Sequence, residues 1–528
     1  MALRTIPGSF LTGRLMSAAA RARVARWDHI GGSPERVRHK QLEILVSHCR
    51  QAADTEFGRA HGLGEVRNDE DFRRRVPIRG YPEFEPYLVR MRAGERDVLW
   101  PGLIPYYGQS SGTSNTEAMH KFLPISGEQI RWQQRAGFDV VARYLTLTGD
   151  LDLTGGFLLG LFPPAVVRRE GQVGIGSNPG LMQLHLPLPS RPLALPKPPV
   201  RDIPEYDKKL DAVAASYLDH DVRAISGTTC WFSIFFDRLL HAAHARGREV
   251  KTVAEIWPNL RVLFGGGVAA GPYRPIIAER LGRPAVLMDN YNATEGGIFA
   301  ATSSLDDDAL QVIPDRAVYF EFVPRGREQD PDAPRLPLWQ VERDVDYSVV
   351  VTTCSGLFAY AIGDYVRFTS TAPHRLRFAG RRSGVLSLTQ ELTTQLEIER
   401  AVAAATAVAG AAAVDFAACT EVGVDGTAKG RYQIFIEFER PPADLAGFAR
   451  AVDESLCRQN RVYREHRQGE VAILPPRVVP LVRGATRRFM EALDLKSVQQ
   501  KFPRIIDSRR GELLWPLAEA SHTGGRAP

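Results

Sequence analysis

The sequence predicts an α/β protein in two parts. A large N-terminal domain of mixed sheets and helices spans residues 1–380, and a small α+β domain spans 381–515, with a tail at 516–528. Three observations predict this. The chain has 528 residues, more than one domain holds at roughly 100–200 residues each. Helix-period and strand-period apolar patterns alternate as far as residue 380, then shift to a shorter helix–strand series. At 44% hydrophobic and 24% charged residues, the chain is neither disordered, collagen-like nor a disulfide-stapled mini-scaffold.

Residues 1–40 form a basic leading segment, read as an ordinary helix in preference to a transit peptide or surface-binding helix. Val37, Leu42, Ile44, Leu45 and Val46 give residues 36–60 an apolar helical face. Helices are expected at 126–143, 205–218 and 231–246, and strands at 156–162, 260–264, 285–289, 317–323 and 346–353. Ser126-Gly127-Glu128-Gln129 has capping-box spacing, with Ser126 placed to accept the Gln129 backbone N–H. The Pro-rich stretches 184–204 and 326–337 read as surface loops. In the second part, 384–388 is a short strand and 392–409 an Ala-rich helix. Strands at 413–419 and 431–438, a helix at 442–457 and a strand at 470–475 follow.

The net charge is +6, from 67 Lys+Arg against 61 Asp+Glu. All of it lies in residues 1–40, where eight basic residues face two acidic ones. The neutral remainder argues against nucleic-acid binding, which needs a clustered basic footprint. Nine of the basic residues are Lys, a short list from which to draw a catalytic lysine. Five scattered cysteines (Cys49, Cys230, Cys354, Cys419, Cys457) fit neither a zinc site nor a disulfide framework, so a cytoplasmic location is expected. The longest apolar run, 401–414, is Ala-rich and short of the ~20 residues of a membrane span. No stable membrane insertion is expected.

Three loops carry the chemistry. Residues 108–121, GQSSGTSNTEAMHK, offer hydroxyls, unshielded backbone N–H groups and Lys121, a combination that suits polyphosphate. No Walker A pattern is present. Residues 289–297, DNYNATEGG, follow a strand end, where α/β sheets bind ligands. There Tyr291 is placed to stack on a base, Thr294 to reach a phosphate and Glu295 to hold Mg²⁺. The turn 264–267, FGGG, permits close approach of a flat ligand. Residues 360–364, YAIGD, put Asp364 where it accepts from both ribose hydroxyls, and Arg381 stands at the domain junction. A polar surface loop, an Asn/Gly turn and a turn Asp are the bland alternatives for the three.

A rival reading starts from GQSSG, which matches the nucleophile elbow of α/β-hydrolases with Ser110 as nucleophile; Asp364 and His374 follow in triad order. An elbow requires a strand, one sharp turn and a helix. Here a long polar loop and another extended segment follow, so strand–loop–strand is expected instead.

In this order and spacing, Ser-Ser-Gly-Thr-Ser, Tyr-x-Ala-Thr-Glu and Gly-Asp resemble the adenylate-forming superfamily. Residues 71–114, 319–324, 340–364 and KFPR at 501–504 narrow the resemblance to the auxin-responsive Gretchen Hagen family of acyl-acid amido synthetases, with a bacterial member expected. It covers about residues 38–506. The resemblance implies a large adenylate-forming domain, a mobile C-terminal domain, and ATP and Mg²⁺ as cofactors. It also implies two steps: adenylation of a carboxylic acid, then transfer of the acyl group to an amine or amino acid. By position, Ser110, Ser111, Thr113 and Ser114 resemble the phosphate loop. Tyr291, Ala293, Thr294 and Glu295 resemble the second motif, with Glu295 the metal contact. Asp364 resembles the ribose aspartate, Gly265 and Gly266 the adenine-side turn, and Lys501 the mobile-domain lysine, with Lys496 its substitute. Two departures stand out. Thr116 occupies a site where the family commonly has glycine, which leaves Lys121 about two positions late. Ala361 occupies the Arg site of Tyr-Arg-x-Gly-Asp, so that arginine's contribution is either absent or replaced by Arg367 or Arg381. A carboxylate–CoA ligase, a serine hydrolase and a non-catalytic nucleotide-binding protein are the alternatives. A monomer is expected.

Overall fold

The computed structural model describes residues 9–110, 121–267, 270, 273–328, 330, 332–381, 384–389, 391–492 and 502–519. Two compact units result. The first takes the described residues up to 381 except 273–276, and the second takes 273–276 with those from 384 onward.

In the first unit, the basic leading segment becomes the helix Ser9–Gly31. It is held by buried partners in this unit. Arg23 pairs with Asp139 at 2.7 Å and Arg26 with Asp315 at 3.2 Å. Asp28 meets Arg143 at 2.5 Å, and the Trp27 indole donates to the Val312 carbonyl at 2.8 Å. Two of the segment's arginines, Arg23 and Arg26, thus meet buried acids elsewhere in the chain, and these acids also pair with Arg316. Asp139 is 1% exposed; burial raises its pKa, opposed by Arg316 and Arg23.

The expected 36–60 helix divides into Pro34–Gln51 and Glu56–Ala60, each started by a side-chain cap, Ser33 and Thr55. Three sheets follow. A parallel five-stranded sheet has the order Ala194–Leu195, Phe157–Leu161, Val222–Gly227, Val262–Phe264, Val286–Met288. A four-stranded sheet has Tyr106–Ser110 between Lys121–Ile125 and Val173–Gly176, with Arg168–Glu170 at its edge. An eight-stranded antiparallel sheet begins with Asn290–Ala293, Gly297–Thr302 and Leu310–Val312, and continues through His374–Arg381 and Tyr360–Thr371. The strand Val286–Met288 runs through Asp289 straight into Asn290–Ala293, so one stretch of chain serves two sheets.

The second unit packs the helices Gln395–Val408 and Leu445–Gln459 with the strands Ala412–Val422, Gly430–Arg440 and Arg477–Leu481. The last strand lies beyond the expected 470–475. Pro475 and Pro476 intervene, and the backbone N–H groups of Ala472 and Ile473 instead close a turn onto the His466 carbonyl at 3.1 Å. At the start of this unit the fully buried Glu391 carboxylate accepts the Leu388 and Thr389 N–H groups at 2.7 Å each, and the Tyr432 hydroxyl at 2.5 Å. No helix among the described residues is long and apolar enough to cross a membrane.

Candidate functional site

The second motif forms the hairpin between Asn290–Ala293 and Gly297–Thr302, at the junction of the parallel and antiparallel sheets. Thr294 and Glu295 occupy its turn; Glu295 is 7% exposed. Two unrelated segments brace this turn. The Gln129 amide, from the helix Gly127–Thr148, donates to the Thr294 carbonyl at 2.9 Å. Gly108, on the strand leading to Ser110, lies so close that a Cβ there would sit 2.3 Å from the Thr294 methyl.

The capping box is realised in half. Ser126 Oγ accepts the Gln129 N–H at 3.0 Å, but the Gln129 side chain does not turn back to residue 126. It accepts the Ser355 hydroxyl at 2.5 Å, and Ser355 Oγ in turn accepts the Ser126 N–H at 2.9 Å. Gln129 is thereby released to hold the motif turn. Sequence reasoning missed this role; the polar residue at the third helical position was the one available signal.

Asp364 is 2% exposed, and the Tyr291 hydroxyl donates to its Oδ2 at 2.9 Å. Four strand spacings separate their strands in sheet order, about 19 Å if the sheet were flat. The sheet therefore curls to bring the second and third motifs together. The Tyr291 ring packs edge-on against Phe299 at 5.4 Å and lies 6.2 Å from Phe378. Phe378, missed from sequence, is 47% exposed beside this pair. It is the aromatic face the site presents outward. Its strand-period position, three residues before Arg381, was the only clue.

The turn after Val262–Phe264 meets the same hairpin. Gly265 N–H donates to the Met288 carbonyl at 2.9 Å, and the Asn290 amide donates to the Gly265 carbonyl. Gly266 N–H donates to Thr229 Oγ1 at 3.1 Å. A Cβ at Gly265 would fall 2.4 Å from Thr229 Oγ1, and one at Gly266 2.9 Å from the amides of Asn290 and Asn292. The chain's own polar side chains fill the space these glycines leave.

The structure thus brings together Gly265, Gly266, Tyr291, Ala293, Thr294, Glu295 and Asp364. Arg381 lies opposite Asp364 in backbone register. Arg367 is engaged elsewhere, paired with Asp346 at 2.6 Å, and so does not replace the missing arginine of position 361. Ser110 ends its strand opposite Lys121, and Lys121 Nζ lies 5.7 Å from the Tyr81 ring. Ser111, Thr113, Ser114, Thr116, Lys496 and Lys501 lie outside the described residues. Just after Lys501, Phe502 is buried in the second unit's core and Arg504 pairs with Asp415.

The hydrolase reading fails on geometry. The strand of Ser110 pairs antiparallel with Lys121–Ile125, the strand–loop–strand order expected. Asp364 pairs with Arg381 at one end of its hairpin, while His374 pairs with Thr371 at the other. Seven residues of strand separate Asp364 from that turn, about 23 Å, so the two do not form a triad.

Three domain models of one family match the chain in order: the GH3 family N-terminal domain over residues 30–155, its central domain over 311–381 and its C-terminal domain over 396–510. A probable indole-3-acetic acid-amido synthetase of Oryza sativa subsp. japonica is 24% identical, aligned over 86% of this chain and 85% of its own. An indole-3-acetic acid-amido synthetase of Oryza sativa subsp. indica is 26% identical over 88% of each chain. Among solved structures, an acyl acid amido synthetase in complex with 2,4-DB superimposes with a TM-score of 0.59 at 18% identity, covering 96% of this chain and 97% of its own. A 2-hydroxyisobutyryl-CoA ligase in complex with 2-HIB-AMP and CoA gives 0.52 at 15% identity, covering 89% of each. These two share the fold. With its three domains matched in order over more than half its length, the chain belongs to the GH3 family.

Proposed function

We propose that the protein is an ATP-dependent acyl-acid amido synthetase. The observation that carries this reading is the hydrogen bond between Tyr291 and Asp364, two motif residues brought together at the turn of Thr294 and Glu295. A carboxylate oxygen of the acid attacks the α-phosphorus of ATP. The bond to pyrophosphate breaks, and an acyl-AMP forms. The nitrogen of an amine, expected to be an amino acid, then attacks the acyl carbon, losing a proton as AMP departs. The relatives' names as amido synthetases support the amine as acceptor.

Asp364 accepts the ribose hydroxyls, and Phe378 with Gly265 and Gly266 flanks the base. Thr294 and the loop residues Ser110, Ser111, Thr113 and Ser114 donate to phosphate oxygens, where negative charge gathers in the displacement. Arg381, opposite Asp364 in backbone register, is assigned to nucleotide binding, and Lys501 serves the first half-reaction. No group of three or more His, Cys, Asp or Glu side chains among the described residues could hold a metal ion. Glu295, 7% exposed at the motif turn, would be the protein contact for Mg²⁺ carried by the phosphates. When bound, Mg²⁺ would neutralise phosphate charge. The buried free thiols of Cys49, Cys354 and Cys419 support a cytoplasmic location.

Pyrophosphate exchange into ATP, measured across a panel of carboxylic acids, tests the reading. Exchange is expected only with a suitable acid, and a folded protein inert to the whole panel would sink it. Asp364→Ala and Glu295→Ala are expected to abolish exchange while leaving the fold intact. Mass detection of an amide on adding amino acids is expected; a thioester with CoA in its place would overturn the second step.

A further inference from the structure

Lys209 is a buried cation that the site described above does not use. It lies in the helix Tyr206–Tyr217 and is 1% exposed. Its Nζ donates to the Phe162 carbonyl at 2.6 Å. Lysine carries three donors, and Phe162 is the one acceptor in hydrogen-bond range among the described residues. No described carboxylate lies within ion-pair distance of it. A buried ammonium without a counter-charge is costly, and holding one carbonyl needs no full charge.

Its location gives the charge a use. Phe162 directly follows Phe157–Leu161, at the C-terminal edge of the parallel sheet, where open α/β sheets bind ligands. Leu161 pairs with Gly227, and Ser226, just before it, pairs with Phe264, which leads into the Gly265–Gly266 turn. Lys209 therefore sits two strands, about 10 Å, from that turn along the same edge. Tyr206, one turn earlier on the same helix, reaches the same strand end. The Tyr206 hydroxyl donates to the Leu161 carbonyl at 3.0 Å, and the Tyr206 ring stands edge-on to Trp231 at 4.9 Å.

We propose that Lys209 receives a second anionic group, a carboxylate at the far end of the acid substrate, so that the preferred acids are apolar-bodied dicarboxylates. This rests on the adenylating reading of the site. The α-carboxylate of the amino-acid acceptor has the same chemistry and is the other source of such a group. Reaching the buried amine would require the half-buried Phe162, whose carbonyl it holds, to turn aside.

Burial lowers the Lys209 pKa to about 8, with Asp202 raising it and Arg201 lowering it. Those two are paired with each other at 2.7 Å. On its own helix, Asp207 and Asp211 are taken up by Arg238 of the neighbouring helix. The free lysine therefore loses its charge at mildly alkaline pH, and affinity for an anion falls as it does so.

Calorimetric titration of the full-length protein without ATP tests this with terephthalate, benzoate and alanine as probes. Wild type is expected to bind terephthalate at least about tenfold tighter than benzoate, with the preference fading between about pH 7 and about pH 10. Lys209→Met is expected to erase the preference and its pH dependence while leaving benzoate binding unchanged. Lys209→Gln, which keeps a donor for Phe162 without the charge, is expected to behave like the Met variant. A preference retained in Lys209→Gln, or absent from wild type, overturns the proposal. Loss of alanine binding with terephthalate binding unaffected also overturns it, by moving the anion to the acceptor. The readout needs no turnover, so a failed pyrophosphate exchange and a failed Lys209 assignment remain separate results.

Discussion

Tyr291 and Asp364 are 73 positions apart, yet their side chains meet at 2.9 Å. The motif tyrosine serves first as a donor to a buried carboxylate. Tyr291→Phe removes that donor with little change of shape, and leaving a buried acceptor short costs about 1–3 kcal/mol. The expected result is a lower urea midpoint together with a raised KM for ATP in the exchange assay. Unchanged values of both would show that the bond does not hold Asp364 in place. Both residues were readable as motif positions because each stands in a short run with a recognisable neighbour. Phe378 and Gln129 were not, since a lone Phe on a strand and a Gln at a helix start have no local mark. Their significance comes only from what lies opposite them.

The hairpin carrying Thr294 and Glu295 is braced from a helix by the Gln129 amide and from a strand by Gly108. Gln129→Ala removes the amide bond to the Thr294 carbonyl and is expected to slow pyrophosphate exchange severalfold. Ser126→Ala, which removes the cap of the same helix, is expected to cost about 0.5–2 kcal/mol with exchange per folded molecule unchanged. Comparing the two variants by thermal melts and exchange rates separates turn anchoring from helix stability. On the strand side, Gly108→Ala would put a methyl 2.3 Å from the Thr294 methyl. Such overpacking costs about 1–3 kcal/mol, and Thr294→Ser in the same chain is expected to recover part of it, read as the urea midpoint. Most elements were legible from apolar periodicity, including the helix now seen at Tyr206–Tyr217 and the strand at Phe157–Leu161. The expected strand at 470–475 was misplaced because its alternation continues through Pro475 and Pro476. Pairing with Gly430–Arg440 selects Arg477–Leu481 instead.

Over the whole molecule, each unit holds a histidine whose pKa burial lowers, the buried His374 in the first and the half-buried His466 in the second. Burial lowers both pKa values to about 4 from the ordinary 6.5. The unfolded chain therefore binds more protons than the folded one between these values. Stability is full above about pH 6.5 and is lost as pH falls towards about 4, by roughly 3 kcal/mol for each histidine. Melting temperature measured across this range is expected to fall steeply. His466→Gln, which keeps a polar partner for Thr389 Oγ1 at 2.7 Å in the wild type, is expected to flatten part of the slope; an unchanged slope would remove His466 from the explanation.

The sequence by itself determined the order of the three loops, the family they belong to and the alternation of elements, because each is written in residues close together along the chain. It also located the +6 charge in residues 1–40. Only the tertiary structure decided where part of that charge goes: Arg23 and Arg26 of the helix Ser9–Gly31 meet the buried Asp139 and Asp315. It also decided that residues 273–276 group with the second unit, where the Tyr273 hydroxyl donates to the Leu388 carbonyl at 3.0 Å. The curl that joins Tyr291 to Asp364 and the placing of Lys209 at the parallel sheet edge belong to the same class. Periodicity and turn chemistry act over a few residues, whereas strand order, sheet curl and buried ion pairing are set by surfaces that meet only once the chain has folded.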